Sequence, residues 1–333
     1  IAQCFLDAFR THIGPASFPF TVDHESSIVM IGSCFSENIG QRLHDNKLHT
    51  TLNPFGILFN PFSIMNALER MLNNRPYTLD ELSKSGENWV SLDHHGKFNG
   101  RDAEEVLSQI NESMNAGREA LLNADVVFIT LGSAWVYHHL EQDHTVANCH
   151  KIPNKNFEKR LLPFQDVHLL LKHIPAFFKS KKINANIVFT LSPVRHWKDG
   201  PIENQRSKSI LNTAIHQVVD SDDRCHYFPS YEYMMDDLRD YRFYAADMLH
   251  PNEQAIDYIW DKFQQSFFSD ETRIVCKEVK AVVEAAHHRP MDPESNSFQR
   301  FIRKQMDLIN GLEAKYPSLD LKEERQRFEG FQL

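Results

Sequence analysis

Short apolar runs alternate with longer stretches of helical spacing through the first four-fifths of the chain. Polar, Gly or Pro residues bound each run, and this pattern is typical of parallel strands buried on both faces. The strand-like runs are residues 27–31, 125–131, 186–191 and 226–229. The helix-like stretches are residues 37–43, 63–73, 103–122, 164–178, 204–219 and 253–263. This alternation predicts an α/β fold in which a wound parallel sheet lies between helices, with active-site residues at the carboxyl ends of the strands.

The pattern changes after about residue 268. Residues 273–287 and 297–313 have charged helical spacing, the segment RPMDPES separates them, and no further strand-like run follows. We therefore predict an α/β domain over residues 1–268 and a helical C-terminal extension over residues 269–333. The extension contributes none of the motif residues below, so we expect the chemistry not to require it.

Composition excludes several classes of protein. A hydrophobic fraction of 41% can supply a sizeable core, and the net charge of -9 works against binding to a phosphate backbone, so no nucleic-acid partner is expected. No apolar run reaches the ~20 residues of a membrane span, and the N-terminus lacks the pattern of a signal peptide. Five scattered cysteines favour free thiols in a reducing compartment, hence a cytoplasmic location. The oligomeric state stays open.

The first motif is a strand-to-helix turn, in which an apolar strand runs into Gly32, Ser33, Cys34 and Ser36. Glycine permits a tight turn, and a helix N-terminus favours a developing anion and would lower the pKa of a thiol. Such a turn can present a nucleophile. The structural alternative is that Ser33 or Ser36 caps the helix and Cys34 is a small buried residue.

The second motif is Asp247-Met248-Leu249-His250-Pro251, directly before the last helix-like stretch of the α/β region. An Asp three residues before a His can accept the imidazole Nδ1–H, which leaves Nε2 to take a proton from a nucleophile. The alternative is a loop in which these two side chains cap the next helix. The pairing of an early nucleophile turn with a late Asp–His favours a catalytic triad over these structural alternatives.

Two further polar blocks have less specific patterns. The block Asn148-Cys149-His150-Lys151 ends a His-rich stretch and fits a metal site or a second reactive thiol, although a surface or pocket-lining loop is favoured because the chain has no HExxH and no paired CxxC. Arg195, His196 and Lys198 follow the third strand-like run. They fit either the recognition of an anionic or polar substrate group or a solvated basic loop. We expect residues 241–244 to pack the Asp–His loop against the core.

The sequence Ile31-Gly32-Ser33-Cys34-Phe35-Ser36 resembles the signature of the GSCFA family, which is related to the SGNH hydrolases, and Ser36 stands where that signature has Ala. The likeness spans about residues 20–265, through residues 53–61, 130–135, 147–151, 192–196 and 236–250. It implies an SGNH-like, flavodoxin-like sheet and chemistry on acyl esters.

The resemblance also implies roles for individual residues. Asp247 and His250 match the Asp–x–x–His block, and Gly56 matches the glycine whose N–H helps form the oxyanion hole. Gly132 stands where the G-x-N-D block begins, but Ser133 and two further non-Asn residues follow it, so the oxyanion-hole Asn is absent. Either Ser133, a backbone amide or Asn53 supplies that donor, or the oxyanion chemistry is different.

The nucleophile depends on the register of the signature. Laid ungapped on Gly-Asp-Ser, the turn places Cys34 at the nucleophile position, whereas a shift by one residue places Ser33 there. We expect Cys34 and keep Ser33 as the alternative. The expected function is hydrolysis of a small-molecule or carbohydrate acyl ester, or acyl transfer, through an acyl-enzyme.

No metal and no redox or nucleotide cofactor is implied, since the chain has neither G-x-G-x-x-G nor a P-loop. Two other functions stay open. One is a non-catalytic ligand-binding module on a degenerate scaffold, suggested by the missing Asn. The other is a metal-assisted hydrolase that uses His150 and its neighbours.

Overall fold

A computed structural model describes residues 10–288 and 295–331. The strands within these ranges are β1 (Ile28–Gly32), β2 (Thr50–Leu52), β3 (Ser83–Ser85), β4 (Asn88–Val90), β5 (Val126–Leu131), β6 (Trp135–His139), β7 (His144–Val146), β8 (Phe157–Leu161), β9 (Asn186–Leu191) and β10 (Cys225–Phe228). The helices are α1 (Cys34–Asp45), α2 (Pro61–Leu72), α3 (Ala103–Leu122), α4 (Phe164–Ser180), α5 (Gly200–Val219), α6 (Ser230–Glu232), α7 (Glu253–Phe267), α8 (Asp270–His287), α9 (Asn296–Lys315) and α10 (Lys322–Glu329).

The central sheet has five parallel strands in the order β10-β9-β5-β1-β2. Counted along the chain, this order is 2-1-3-4-5, which is one of the two common doubly wound orders. The predicted wound parallel sheet is thus confirmed. In such sheets the strand order reverses between the first and third strands, here β1 and β5, and ligands bind in the crevice outside their carboxyl ends. Gly32, which ends β1, lies in register with Thr130 of β5.

Helices cover both faces of this sheet, which explains why its strands are apolar on both sides. Val29 and Ile31 belong to the core cluster that also contains buried residues of α2, α3, α4 and α5. Ile28 and Met30 alternate with them and belong to the cluster on the other face, with α1 and α7. The strand β1 therefore carries the first motif to the carboxyl edge between two packed layers.

Several short strands were not predicted. They are β2, the antiparallel pair β3–β4 and the antiparallel sheet β7-β6-β8. The His-rich segment forms part of this last sheet, since His138 and His139 lie in β6 and His144 in β7. Strands of three to five partly polar residues lack the apolar runs that identified the central sheet.

The segment after residue 268 is helical where it is described, as predicted. Val279 of α8, Ile302 and Ile309 of α9 and Phe328 of α10 belong to one small core. Cys276 of α8 instead packs in the cluster with α1 and α7, so α8 belongs to both cores. None of the helices in the described ranges combines the length and apolarity needed to cross a membrane. Cys4 and most of the predicted RPMDPES break lie outside these ranges.

Candidate active site

The turn at the end of β1 requires a glycine. Gly32 has φ +144°, and a Cβ there would lie 2.2 Å from the carbonyl oxygen of Thr130. The Gly32 N–H donates to Oδ1 of Asn53 at 2.9 Å, and its carbonyl accepts from the N–H of Leu58 at 2.9 Å. The backbone of β1 therefore packs directly against β5 before it turns into α1.

Two serines flank the candidate nucleophile, and neither caps α1 with its side chain. Ser33 occupies the N-cap position, but its hydroxyl makes no capping bond and is buried without a hydrogen-bond partner among the described residues. The Ser36 hydroxyl donates to Oγ1 of Thr130 at 2.7 Å and so ties α1 to β5. The hypothesis that one of these hydroxyls caps the helix is wrong.

Cys34 is the first residue of α1 and is partly exposed, whereas Ser33 is fully buried. Burial raises the pKa of the Cys34 thiol, and the carboxylate of Glu37 adds to this effect. The backbone N–H groups of Cys34 and Phe35 and the charge of Lys208 act in the opposite direction. The helix N-terminus thus favours the thiolate as expected, but the expectation of a lowered thiol pKa is wrong because desolvation outweighs it.

Lys208 of α5 is a residue that the motifs did not reveal. It is 1% exposed, and its Nζ donates to the carbonyl of Ser192 at 2.7 Å, just beyond the end of β9. Burial lowers the pKa of Lys208 to about 7, while the thiolate of Cys34 opposes this shift. Spacing could have found it, since Lys208 lies on the same helical stripe as the buried Asn204 and Leu211.

Arg195 and His196 follow β9, as predicted. Nε of Arg195 and Nε2 of His196 are both buried without hydrogen-bond partners within the described chain. Burial, with smaller contributions from the charges of Lys208 and His250, lowers the pKa of His196 to about 4. The charges of Lys208 on α5 and of His250 on the Asp247–His250 loop both act on His196, so these three residues lie in the same region of the protein.

Asp247 and His250 form a hydrogen-bonded pair. Nδ1 of His250 donates to Oδ2 of Asp247 at 2.5 Å, and the N–H groups of Leu249 and His250 donate to Oδ1 at 2.9 and 3.0 Å. The two N–H groups and the imidazole lower the pKa of Asp247 to about 2. The carboxylate is therefore ionised at neutral pH and fixes the ring orientation.

The loop that carries this pair is anchored at both ends. Met248 has φ +59°, and the N–H of Ala245 donates to the His250 carbonyl at 2.8 Å. The cap of α7 is Asn252, whose side chain accepts from the N–H of Ala255. The hypothesis that Asp247 and His250 cap this helix is therefore wrong. Tyr244 is bridged to Pro251 and packs on the core, whereas Tyr241 is exposed.

Most of the predicted oxyanion donors are already hydrogen-bonded. The N–H of Gly56 donates to the Asn53 carbonyl at 2.7 Å, and the N–H groups of Gly132 and Ser133 donate to the Phe59 carbonyl at 2.8 and 2.9 Å. These three amides are not free for a substrate, which corrects the expectation for Gly56, Gly132 and the Ser133 backbone. Nδ2 of Asn53 is buried without a partner in the part of the chain described here.

The fold explains Gly56 and Ser133 in other ways. Gly56 has φ +73°, and a Cβ there would lie 2.3 Å from Cβ of His95. The Ser133 hydroxyl accepts from the N–H of Trp135 at 3.0 Å and lies 3.4 Å from the hydroxyl of Ser207. Gly56 is thus required by a close approach of two loops, and Ser133 stabilises the start of β6.

His150 makes structural contacts. It is buried, its Nε2 lies 2.7 Å from the Ser91 carbonyl, and its Nδ1 lies 3.1 Å from Nδ2 of Asn99. Burial lowers the pKa of His150 and raises that of the Cys149 thiol. Over residues 10–288 and 295–331, no group of three or more His, Cys, Asp or Glu side chains is arranged to hold a metal ion.

A cleft of about 1080 Å³ lies elsewhere, between α1, α7 and α8, and none of the predicted site residues lines it. Its lining is charged and includes Arg42, Asp257, Arg273 and Lys277. We therefore place the candidate active site at the carboxyl edge of β1, β5 and β9, where the functional side chains described above lie, and not in this cleft.

Comparison with known families agrees with the resemblance noted from the motifs. Residues 27–263 match the model of the GSCFA family, and residues 279–330 match that of the GSCFA domain protein, C-terminal domain. No curated protein matches the chain. The first match covers well over half of the 333 residues and contains every candidate site residue. The chain therefore belongs to the GSCFA family.

Proposed function

We propose that this chain hydrolyses acyl esters, or transfers their acyl groups, through a covalent acyl-enzyme on an SGNH-like scaffold. The observation that carries the proposal is the Asp247–His250 pair. Its imidazole is oriented through Nδ1 by an ionised carboxylate, and Nε2 is left for a proton-transfer partner. An acid-base residue held in this way is what acyl transfer to a side-chain nucleophile requires.

The exposure of the two candidate nucleophiles favours Cys34. A nucleophile must meet the substrate, and the Cys34 side chain is partly exposed at the first position of α1 while the Ser33 hydroxyl is buried. The turn at Gly32 places Cys34 outside the carboxyl end of β1, next to the switch point of the sheet.

The proposed reaction uses these groups in turn. His250 Nε2 takes the proton of the Cys34 thiol, and the thiolate attacks the ester carbonyl to give a tetrahedral oxyanion. The N–H groups of Cys34 and Phe35, at the start of α1, are the donors for that oxyanion, since Nδ2 of Asn53 is as fully buried as the Ser33 hydroxyl. The intermediate collapses as His250 returns the proton to the leaving alcohol. Water, activated by His250, then hydrolyses the thioester, and an alcohol in its place completes a transfer.

The loop after β9 supplies the recognition of the substrate. Arg195 and His196 each have a buried nitrogen without a partner in the described chain, and they lie near Lys208 and His250. Both side chains are partly exposed, so the Arg195 guanidinium can donate to a polar or anionic group of a small-molecule or carbohydrate ester, and the His196 ring can donate or accept according to its tautomer. A buried donor that gains a hydrogen bond only with substrate favours binding of that substrate.

A direct test compares wild type with His250→Ala on short-chain p-nitrophenyl esters and thioesters. We expect wild-type turnover and a loss of at least about 100-fold in the variant, because general acid-base catalysis contributes 10²–10⁴-fold. The absence of an Asn after Gly132 favours one other function, a ligand-binding module. Equal rates for wild type and variant, together with saturable binding of an ester to both, would support that module and reject the enzyme.

A further inference from the structure

We propose that Lys208 is the buried cation that stabilises the thiolate of Cys34. Lys208 would be a positioning residue for the nucleophile, acting by its charge and not by a hydrogen bond. The inference deepens the proposed function by explaining how a half-buried thiol becomes reactive. It concerns the state of the thiol itself, so it is testable without any ester turnover.

The sheet places the ammonium group at the right edge. Its acceptor, Ser192, directly follows Leu191 of β9, and Leu191 lies in register with Leu131 of β5. Thr130 of β5 is in turn in register with Gly32 of β1, two residues before Cys34. Adjacent strands are ~4.8 Å apart, so the carboxyl ends of β1 and β9 are separated by roughly 10 Å across β5. Both α1 and α5 begin at this edge.

Among the described residues, Lys208 has no carboxylate within ion-pair distance. Its Nζ donates to the Ser192 carbonyl and lies over the face of Tyr231, whose ring centroid is 5.6 Å away. A buried ammonium without a counter-ion is costly, which is why burial lowers the pKa of Lys208 to about 7, and a nearby thiolate reduces that cost.

The other charged groups around the pair do not supply that charge at close range. Arg195 opposes the ammonium, whereas Glu232 of α6 favours it less than Cys34 does. On the side of the thiol, Glu37 opposes the thiolate and Lys208 favours it. His196 is uncharged near neutral pH because its pKa is lowered to about 4. The mutual influence of Cys34 and Lys208 on their pKa values agrees with the placement derived from the sheet.

The experiment measures the rate at which iodoacetamide alkylates Cys34 as a function of pH. The modified peptide, residues 11–42 after trypsin, is quantified by mass spectrometry, so the other cysteines do not interfere. We expect Lys208→Met to raise the thiol pKa by about one unit and to slow alkylation at pH 7 by about tenfold. Lys208→Arg, which keeps a cation, should retain most of the wild-type rate.

Lys262 provides the matched control. It is also buried, at 3% exposure, and its Nζ also donates to a backbone carbonyl, but it lies on α7 and contacts Ile13 and His12. Lys262→Met should leave the alkylation profile unchanged. If Lys208→Met does not fold, judged by circular dichroism, Lys208→Gln carries the same expectation with a neutral polar side chain.

An unchanged thiol pKa in a folded Lys208 variant, or an equal shift in Lys262→Met, would overturn the inference. These outcomes are separate from those of the proposed function. If the Lys208 variants shift the thiol pKa but the protein hydrolyses no ester, the inference about Lys208 stands and the proposed esterase function is rejected. If the protein hydrolyses esters but the alkylation profile of Cys34 is unchanged in the Lys208 variants, the esterase function stands and the inference about Lys208 is rejected.

Discussion

Oδ2 of Asp247 accepts a 2.5 Å hydrogen bond from Nδ1 of His250, and Oδ1 of the same carboxylate accepts the backbone N–H of His250. The four residues from Asp247 to His250 thus form a small hydrogen-bonded loop that fixes both the carboxylate and the imidazole. We expect Asp247→Asn to lower kcat/KM by 10²–10⁴-fold with little change in KM, because the His250 imidazole loses its orientation and its tautomer. Steady-state kinetics on the best ester found would show this, and a rate within twofold of wild type would contradict it.

The same carboxylate predicts the shape of the pH profile. Because the pKa of Asp247 is lowered to about 2, Asp247 stays ionised down to about pH 3. The stability that it contributes is present above its unfolded pKa of about 4 and is lost as the pH falls through 2. Any acidic limb of kcat/KM above pH 4 must then come from another group. A limb above pH 4 that disappears in Asp247→Asn would contradict this assignment.

The two serines of the turn, Ser33 and Ser36, should differ in how much their hydroxyl groups contribute to the free energy of unfolding. Ser36→Ala removes a buried 2.7 Å hydrogen bond to Thr130 and should destabilise the fold by about 1–2 kcal/mol. Ser33→Ala removes a buried hydroxyl that has no partner in the described chain, so we expect a change within about 0.5 kcal/mol of zero and retained activity. Denaturant unfolding measures both. A larger loss for Ser33→Ala would show that its hydroxyl has a role that the contacts do not explain.

The burial of His94 leads us to expect that the free energy of unfolding decreases in mild acid. His94 is 1% exposed, stacks on Phe55, and its pKa is lowered to about 3 by burial first and then by nearby cationic groups. The unfolded chain binds a proton near pH 6.5 and the native state does not, so stability falls as the pH drops from 6.5 toward 3. At pH 4.5 this one residue should cost about 3 kcal/mol. In His94→Gln the difference between pH 7 and pH 4.5 should shrink; an unchanged difference would assign the acid sensitivity to other groups.

We expect two truncations within the C-terminal helices to differ in melting temperature. A chain ending at residue 288 keeps α8 and therefore the packing of Cys276 against the core shared with α1 and α7. A chain ending at residue 268 loses it, so we expect a lower melting temperature. Both should keep the turnover per folded molecule, since no candidate site residue follows residue 250. Loss of turnover in a folded 1–288 chain would show that α9 and α10 take part in the function.

The central sheet and its helices were predictable because their apolar runs and helical periods are local. Residues 103–122 were predicted with the observed bounds of α3. The short strands were not, since their pairing depends on contacts between distant segments, such as Trp135 of β6 with Leu161 of β8. Local pattern cannot specify such non-local pairs.

The candidate site divides in the same way. Gly32 and the Asp–His pair follow from spacing, because their geometry involves neighbours in the sequence. The thiol pKa did not follow, since the burial of Cys34 depends on how α1 packs on the sheet. Lys208 was missed because its neighbours in sequence are polar, and only the stripe that it shares with Leu211 indicates burial.

The central claim is that an acyl group is carried by Cys34. Brief reaction of the wild-type protein with an activated p-nitrophenyl ester, acid quench and trypsin digestion should give an acylated peptide of residues 11–42, which contains both Cys34 and Ser33. Fragmentation mass spectrometry then assigns the modified residue. The account predicts an acyl group on Cys34 that neutral hydroxylamine removes, as a thioester requires. An acyl group on Ser33, or an equal yield from a Cys34→Ala protein, would contradict it.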